Sequence, residues 1–151
     1  MRRFNFKLQG FLSLKSNAEE KALDAYARSM QERQLVEQRL DDLKNFFVMT
    51  QKQQVERREH GMDAWQFQHD FVALASIRDE IQETENALKE ALDKEAAFRT
   101  EFLNAKAERE MVDRLRQKKE DEFYEEMRRR EELELEEIAM TRHARTAGSQ
   151  A

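Results

Sequence analysis

The side chains in this sequence that suit acid–base or metal chemistry are its three histidines and its many carboxylates. None of the histidines, His60, His69 and His143, lies in an HExxH arrangement, which would place two imidazoles and a glutamate beside a zinc ion. His69 follows Trp65 by four residues and therefore shares a helix face with it. With a carboxylate such as Asp63 it could contribute to a metal site, but a polar residue beside a turn is the favoured interpretation.

Other catalytic arrangements are equally missing from the sequence. It contains no cysteine, so thiolate chemistry and disulfides are excluded, and it has no glycine-rich phosphate loop. Asp and Glu total 32, but paired helices enclose no pocket that would shift the pKa of a carboxyl group. Most carboxylates are expected on solvated helix faces, paired with Lys or Arg at i,i+4. We therefore predict that the protein is not an enzyme and uses no cofactor and no metal.

The composition indicates the elements that carry these side chains. The 151 residues include no proline and only three glycines, which permits very long helices. Charged residues make up 39% of the chain, but its apolar residues recur at helical intervals, which favours helices over disorder. The net charge of −5 argues against a nucleic-acid partner. No apolar run approaches the roughly 20 residues that span a bilayer, so no direct membrane span is predicted.

The first helix is predicted over about residues 8–58. Apolar residues recur in steps of three and four, as in a coiled-coil seam, at Leu8, Phe11, Leu12, Ala18, Ala22, Ala25, Tyr26, Val36, Leu40, Leu43, Phe46 and Phe47. Asn17 and Glu20 have the spacing of a capping box, but the stripe already includes Leu8 and Leu12, so we expect an earlier start.

A turn is predicted at about residues 59–63, and a second helix at about 64–141. Gly61 marks the turn and Asp63 is the expected N-cap. Residues 142–151 lack an apolar period and are predicted to be a disordered tail. The fold class is therefore all-α, a long two-helix antiparallel coiled-coil hairpin forming a single unit over residues 1–141. The second helix is longer, so its C-terminal part, about residues 115–140, is predicted to overhang.

Aromatic residues concentrate near the predicted turn. A two-stranded seam is too narrow to bury all of them, namely Phe46, Phe47, Trp65, Phe67 and Phe71. An exposed patch there would be typical of a partner contact. The alternative is a short third segment, residues 63–70, that folds back over the rings.

The free end of the hairpin carries alternating charge. A basic run over residues 114–119 is followed by acidic residues, by Arg128, Arg129 and Arg130, and by a second acidic stretch. Either this part is a solvated single helix held by ion pairs, or it enters a charged cavity of a partner. The basic, amphipathic N-terminus could touch an anionic membrane or pack on the second helix, and packing is favoured.

Both ends of the chain resemble a known family. Residues 4–15, FNFKLQGFLSLK, continued by EEKA at 19–22, resemble the opening of the bacterial flagellar export protein FliJ family. Residues 115–120 and 134–139 are similar to that family's closing segment, in which an acidic pair precedes Ile-Ala.

The resemblance implies a non-enzymatic component of the flagellar type III protein export apparatus. Family members are small antiparallel coiled coils, similar to the central stalk of rotary ATPases. The implied partners are the hexameric flagellar export ATPase, whose ring assembly is promoted, and the cytoplasmic domain of the export gate. Escort of export chaperones is implied as well. The implied location is cytoplasmic, peripheral to the inner-membrane export apparatus.

The resemblance also implies the positions of two binding sites. The export-gate-binding residues would be Leu43, Phe46, Phe71 and Leu74, although Ala75 stands where the family pattern has a leucine four residues after the phenylalanine. The ATPase-binding residues would be Arg116, Lys118, Lys119, Phe123, Arg128, Arg129 and Arg130, together with the N-terminal segment.

Two alternatives stay open at the level of sequence. One is the equivalent stalk of a virulence injectisome, which a motility assay of a deletion strain would distinguish. The other is a generic dimerising scaffold coiled coil, which predicts a stable dimer through residues 115–140.

Overall fold

Two long helices make up almost all of the chain. The computed structural model describes residues 2–150, and within them α1 spans Gln9–Glu59 and α2 spans Ala64–Ser149, with no strand. This confirms the all-α helical hairpin. Neither helix, within the described residues, contains an apolar stretch long enough to cross a membrane.

The C-terminal tail differs from the sequence prediction. Residues 142–149 continue α2, so the predicted disorder from residue 142 is corrected, while Ala151 lies outside the described residues. Alanine and arginine favour helix, and no proline interrupts the chain. The Thr146 hydroxyl donates to the Arg142 carbonyl at 2.9 Å, which ties that side chain to the preceding turn.

The packing divides the chain into two compact units where the sequence predicted one. The terminal unit combines residues up to 18 with those from 105 onward, and the turn unit comprises Glu19–Asn104. Each unit contains part of α1 and part of α2.

In the turn unit the helices run antiparallel around an apolar seam. Leu40, Leu43 and Ile77 are its buried apolar side chains. Arg33 binds Glu95 across the seam and Glu37 on its own helix, and these hydrogen bonds raise the pKa of Arg33 above its ordinary value. Ion pairs therefore flank a seam that buries few apolar side chains.

The turn itself is built by one glycine and one capping residue. Gly61 has a φ of 90°, in the left-handed region, and its N–H donates to the Arg58 carbonyl at 3.2 Å. Asp63 Oδ1 accepts from the Gln66 N–H at 2.8 Å, and Gln66 Oε1 accepts from the Asp63 N–H at 3.3 Å. This reciprocal capping box confirms Asp63 as the N-cap of α2.

In the terminal unit, residues 2–8 are not helical but pack against α2. The ring of Phe4 lies 5.7 Å from that of Phe123, and Phe6 is buried. The Lys15 ammonium donates to Glu108 Oε2 at 2.6 Å. The N-terminus therefore packs on the second helix, as the sequence favoured, and it partly covers the segment that was predicted to overhang from residue 115. From residue 128 to residue 150 every side chain is exposed.

Candidate functional site

Large apolar side chains face solvent near the turn. Trp65, Phe67 and Phe71 on α2 are exposed, Trp65 by 72% and Phe71 by 65%, and Phe46 on α1 is exposed as well. Residues 64–70 belong to α2 and form no separate segment that folds over these rings. The turn unit thus presents an apolar surface, which we call the turn-end surface and define by Phe46, Trp65, Phe67 and Phe71.

The four residues implied for the export gate fall into two environments. Phe46 and Phe71 are exposed, Leu74 is half-buried, and Leu43 is only 6% exposed and belongs to the core. Leu43 therefore has little surface to offer a partner, although it supports the helix that carries Phe46. No ring contact joins Phe46 to Phe71 within the described residues.

Two rings of the turn-end surface are held by neighbours. The Arg58 guanidinium lies 5.0 Å from the centre of the Phe67 ring, and Phe71 follows Phe67 by one helical turn. The Trp65 ring stacks on His69 with centroids 5.6 Å apart. No group of three metal-ligating side chains occurs among residues 2–150, so His69 is described by its stacking alone.

Sequence reasoning missed several aliphatic residues at the same end. Val48, Met49, Val55 and Val72 are exposed and enlarge the apolar area near the turn. All four lie outside the apolar stripe that predicted the seam. That position off the stripe was the available signal, because an apolar residue away from a helical seam has to face solvent.

The second surface is a groove in the terminal unit, between residues 2–8 and α2. It encloses about 700 Å³. Its floor is apolar and its edges carry charge; the lining residues include Phe4, Phe6, Leu8, Leu115 and Phe123, with Arg3, Lys7, Lys119, Glu122 and Glu126 around them. We call this the terminal groove. It brings together two of the residues implied for ATPase binding, Lys119 and Phe123.

The other implied ATPase-binding residues lie along α2 and are mostly paired within that helix. Arg116 contacts Asp113 and Glu120 at 3.4 and 3.8 Å. Arg129 contacts Glu125 at 2.8 Å, and Arg130 binds Glu126. Lys118 and Arg128 are exposed. These i,i+3 and i,i+4 pairs are the solvated-helix arrangement that the charge pattern allowed.

One carboxylate of the terminal groove is electrostatically perturbed. Lys119 Nζ donates to Glu122 Oε2 at 2.8 Å. This hydrogen bond lowers the pKa of Glu122 below its ordinary value, and the nearby charges of Lys119 and Lys118 act in the same direction. The ion pair makes Lys119 part of the groove wall and leaves it less available than an unpaired lysine.

An all-α helical hairpin with an apolar turn-end surface and a charged terminal groove defines a protein of the binding class. The family model of the flagellar FliJ protein matches residues 4–148, which is nearly the whole chain. The chain therefore belongs to the FliJ family, a non-enzymatic component of flagellar type III protein export. Comparisons with curated proteins and with solved structures each found no match.

Proposed function

We propose that this protein couples two parts of the flagellar export apparatus. Its terminal unit binds the hexameric export ATPase and promotes ring assembly, and its turn-end surface binds the cytoplasmic domain of the export gate. Escort of export chaperones is a further part of this role. We infer a cytoplasmic location, peripheral to the inner-membrane apparatus. Family membership over residues 4–148 supports the proposal, as does the different chemistry of the two surfaces.

The proposed contact with the export gate is supported chiefly by the exposure of Phe71. Phe71 is 65% exposed on the helix that places Ile77 in the core, so most of its ring is available to a partner. Exposed aromatic and aliphatic side chains grouped at one end of a helix pair are typical of protein–protein contacts. Aromatic side chains also dominate the binding energy of many interfaces.

The ATPase contact is supported by the terminal groove. Lys119 and Phe123, both implied by the family resemblance, line it together with the packed N-terminal segment. The groove therefore combines apolar area with charge, as interface centres and their rims do.

Turnover of the purified, matched export ATPase tests the proposal. Adding the full-length protein is expected to raise ATPase turnover and the hexamer fraction. The Phe71→Ala variant should stimulate as well as the parent, because its change lies in the turn unit. Unchanged turnover and oligomerisation with the parent protein would overturn the ATPase role, and normal swimming of a deletion strain would overturn the flagellar role.

A dimerising scaffold remains the second candidate because apolar side chains of the last helical segment are exposed. These are Leu133, Leu135, Ile138 and Met140. Leu133 and Met140 are seven residues apart and share a face, whereas Leu135 and Ile138 share another, so they do not form one continuous seam. Sedimentation equilibrium at micromolar concentration tests the scaffold function, since a monomer at that concentration excludes an obligate dimer.

A further inference from the structure

The terminal groove is locally basic in a chain whose net charge is −5. A smaller cavity of about 140 Å³ shares Phe123 and Glu126 with it and extends it to Met127. Together the two are lined by five cationic and two anionic side chains, a local net charge of +3. The cations are Arg2, Arg3, Lys7, Lys119 and Arg130.

The two carboxylates are already neutralised. Glu122 accepts from Lys119, and Glu126 binds Arg130. The excess charge therefore resides on the N-terminal segment. No ion pair within residues 2–150 involves Arg3 or Lys7, and both side chains are exposed.

The floor between these charges is apolar and only partly covered. Phe4 contacts both Phe6 and Phe123, while Leu8 and Leu115 keep much of their surface exposed. A volume of about 700 Å³ is enough for one or two large side chains of a partner. The extension past Phe123 lengthens the groove along α2, which suits an extended or helical segment better than a compact small molecule.

We propose, relying on the proposed function for the identity of the partner, that the terminal groove binds an acidic protein segment carrying a large apolar side chain. The apolar side chain enters the floor against Phe4 and Phe123. Carboxylates beside it bind Arg3 and Lys7, whose charges are unpaired. Nucleic acid is the less favoured ligand because the chain as a whole carries a net charge of −5.

A matched pair of charge reversals tests this in the full-length protein. The variant R3E/K7E reverses the charges of the groove, and R142E/R145E makes the same change in charge on the exposed end of α2. With the export ATPase as ligand, R3E/K7E is expected to weaken binding at least about tenfold and to reduce its salt dependence. R142E/R145E should stay within about twofold of the parent. Circular dichroism checks that both remain helical.

The Phe4→Ala variant tests the floor without changing charge. Its affinity should fall about fivefold or more, since aromatic anchors contribute strongly to binding. Residues 2–8 lie outside both helices, so α1 and α2 should keep their helicity in this variant. Parent-like affinity for both Phe4→Ala and R3E/K7E would overturn the groove proposal.

The outcomes distinguish a failure of the groove proposal from a failure of the proposed function. If the parent protein neither binds nor stimulates the ATPase, the proposed function fails, and a labelled peptide of alternating glutamate and phenylalanine then probes the groove directly. If the parent stimulates and R3E/K7E does so equally, the groove proposal fails while the proposed function stands. Equal weakening by both charge reversals, or equally tight binding of a single-stranded RNA, would also overturn the groove proposal.

Discussion

Gln54 on α1 donates a hydrogen bond from Nε2 to the main-chain carbonyl of Asp70 on α2 at 2.9 Å. Gln54 is 1% exposed and Asp70 is 3% exposed, so a polar contact is buried close to the turn. Arg57 Nη2 lies 3.0 Å from Asp70 Oδ1. Gln54 Oε1 and Asp70 Oδ2 have no protein partner in the part of the chain that the structure describes. Buried polar groups that can be satisfied in one alignment only are a known means of specifying helix register.

Replacing Gln54 by leucine should make the register of the two helices less specific and should add apolar packing between them. We expect the free energy of unfolding to change by less than about 1.5 kcal/mol, because leucine has a similar volume and removes an unsatisfied oxygen. The distance between spin labels at Asp41 and Asp93, both exposed, should become more broadly distributed. Labelling is clean because the chain contains no cysteine. A distribution as narrow as that of the labelled parent would contradict a register role.

Asp70→Asn should destabilise the turn unit. The substitution removes the charge that pairs with Arg57 and leaves a buried amide, which costs about 1–3 kcal/mol. Urea unfolding measures the loss. Asp63→Asn is the matched control, because asparagine is an equally good N-cap and should change stability by only a few tenths of a kcal/mol. A larger effect at Asp63 than at Asp70 would contradict the importance of the buried contact.

Phe71→Ala should abolish binding to the gate's cytoplasmic domain while leaving stability nearly unchanged. Its ring is 65% exposed, so few core contacts are lost. Leu35→Ala removes an exposed apolar side chain of the turn unit outside the turn-end surface and serves as the binding control. Leu43→Ala, by contrast, should cost about 2–5 kcal/mol because that side chain is buried. Pull-downs combined with thermal unfolding separate the two cases, and unchanged gate binding by Phe71→Ala would exclude the turn-end surface.

Glu122 should titrate below the ordinary range of a glutamate. Its pKa is lowered by the hydrogen bond from Lys119, so this carboxylate stabilises the folded chain above its unfolded pKa. That stabilisation is lost as the pH falls through the lower, folded pKa. In the Lys119→Met variant, NMR titration of the Glu122 side chain should show a pKa shifted upward, toward the ordinary value. The same titration in Lys15→Met should leave Glu122 unchanged.

Gly61→Ala should weaken the turn. Nothing lies within 4 Å of the position where the new Cβ would be, so the cost comes from the left-handed backbone, about 1–2 kcal/mol. Gly148→Ala is the matched control, because that glycine is helical and also faces open space. Alanine there should stabilise the last turn of α2 by up to about 1 kcal/mol. Chemical unfolding should therefore show a loss of stability for Gly61→Ala, whereas circular dichroism should show a small gain of helicity for Gly148→Ala.

The apolar period sufficed to predict the helical hairpin, and local chemistry at Gly61 and Asp63 sufficed for the turn. The burial of particular side chains was harder to predict. Leu43, Phe46 and Phe47 all fit the helical period, but a seam one residue wide buries Leu43 and leaves Phe46 exposed. The burial of Gln54 and Asp70 could not be predicted from apolar periodicity, because both residues are polar.

The terminal groove could not be predicted from apolar periodicity either. Its wall includes residues 2–8, which form no helix and therefore follow no period. The ring contact of Phe4 with Phe123 joins these residues to α2, and apolar periodicity does not reveal a contact of this kind. The continuation of α2 to Ser149 was missed for a related reason, since a helix without a buried face leaves no apolar stripe in the sequence.

The last part of α2, residues 128–149, in which every side chain is exposed, affects how long a partner stays bound. About six helical turns there depend mainly on their own backbone hydrogen bonds and local ion pairs, so we expect them to fray and reform rapidly. A partner that captures this segment must offset the chain entropy lost when it becomes rigid. Many contacts would then give only modest affinity and short residence times.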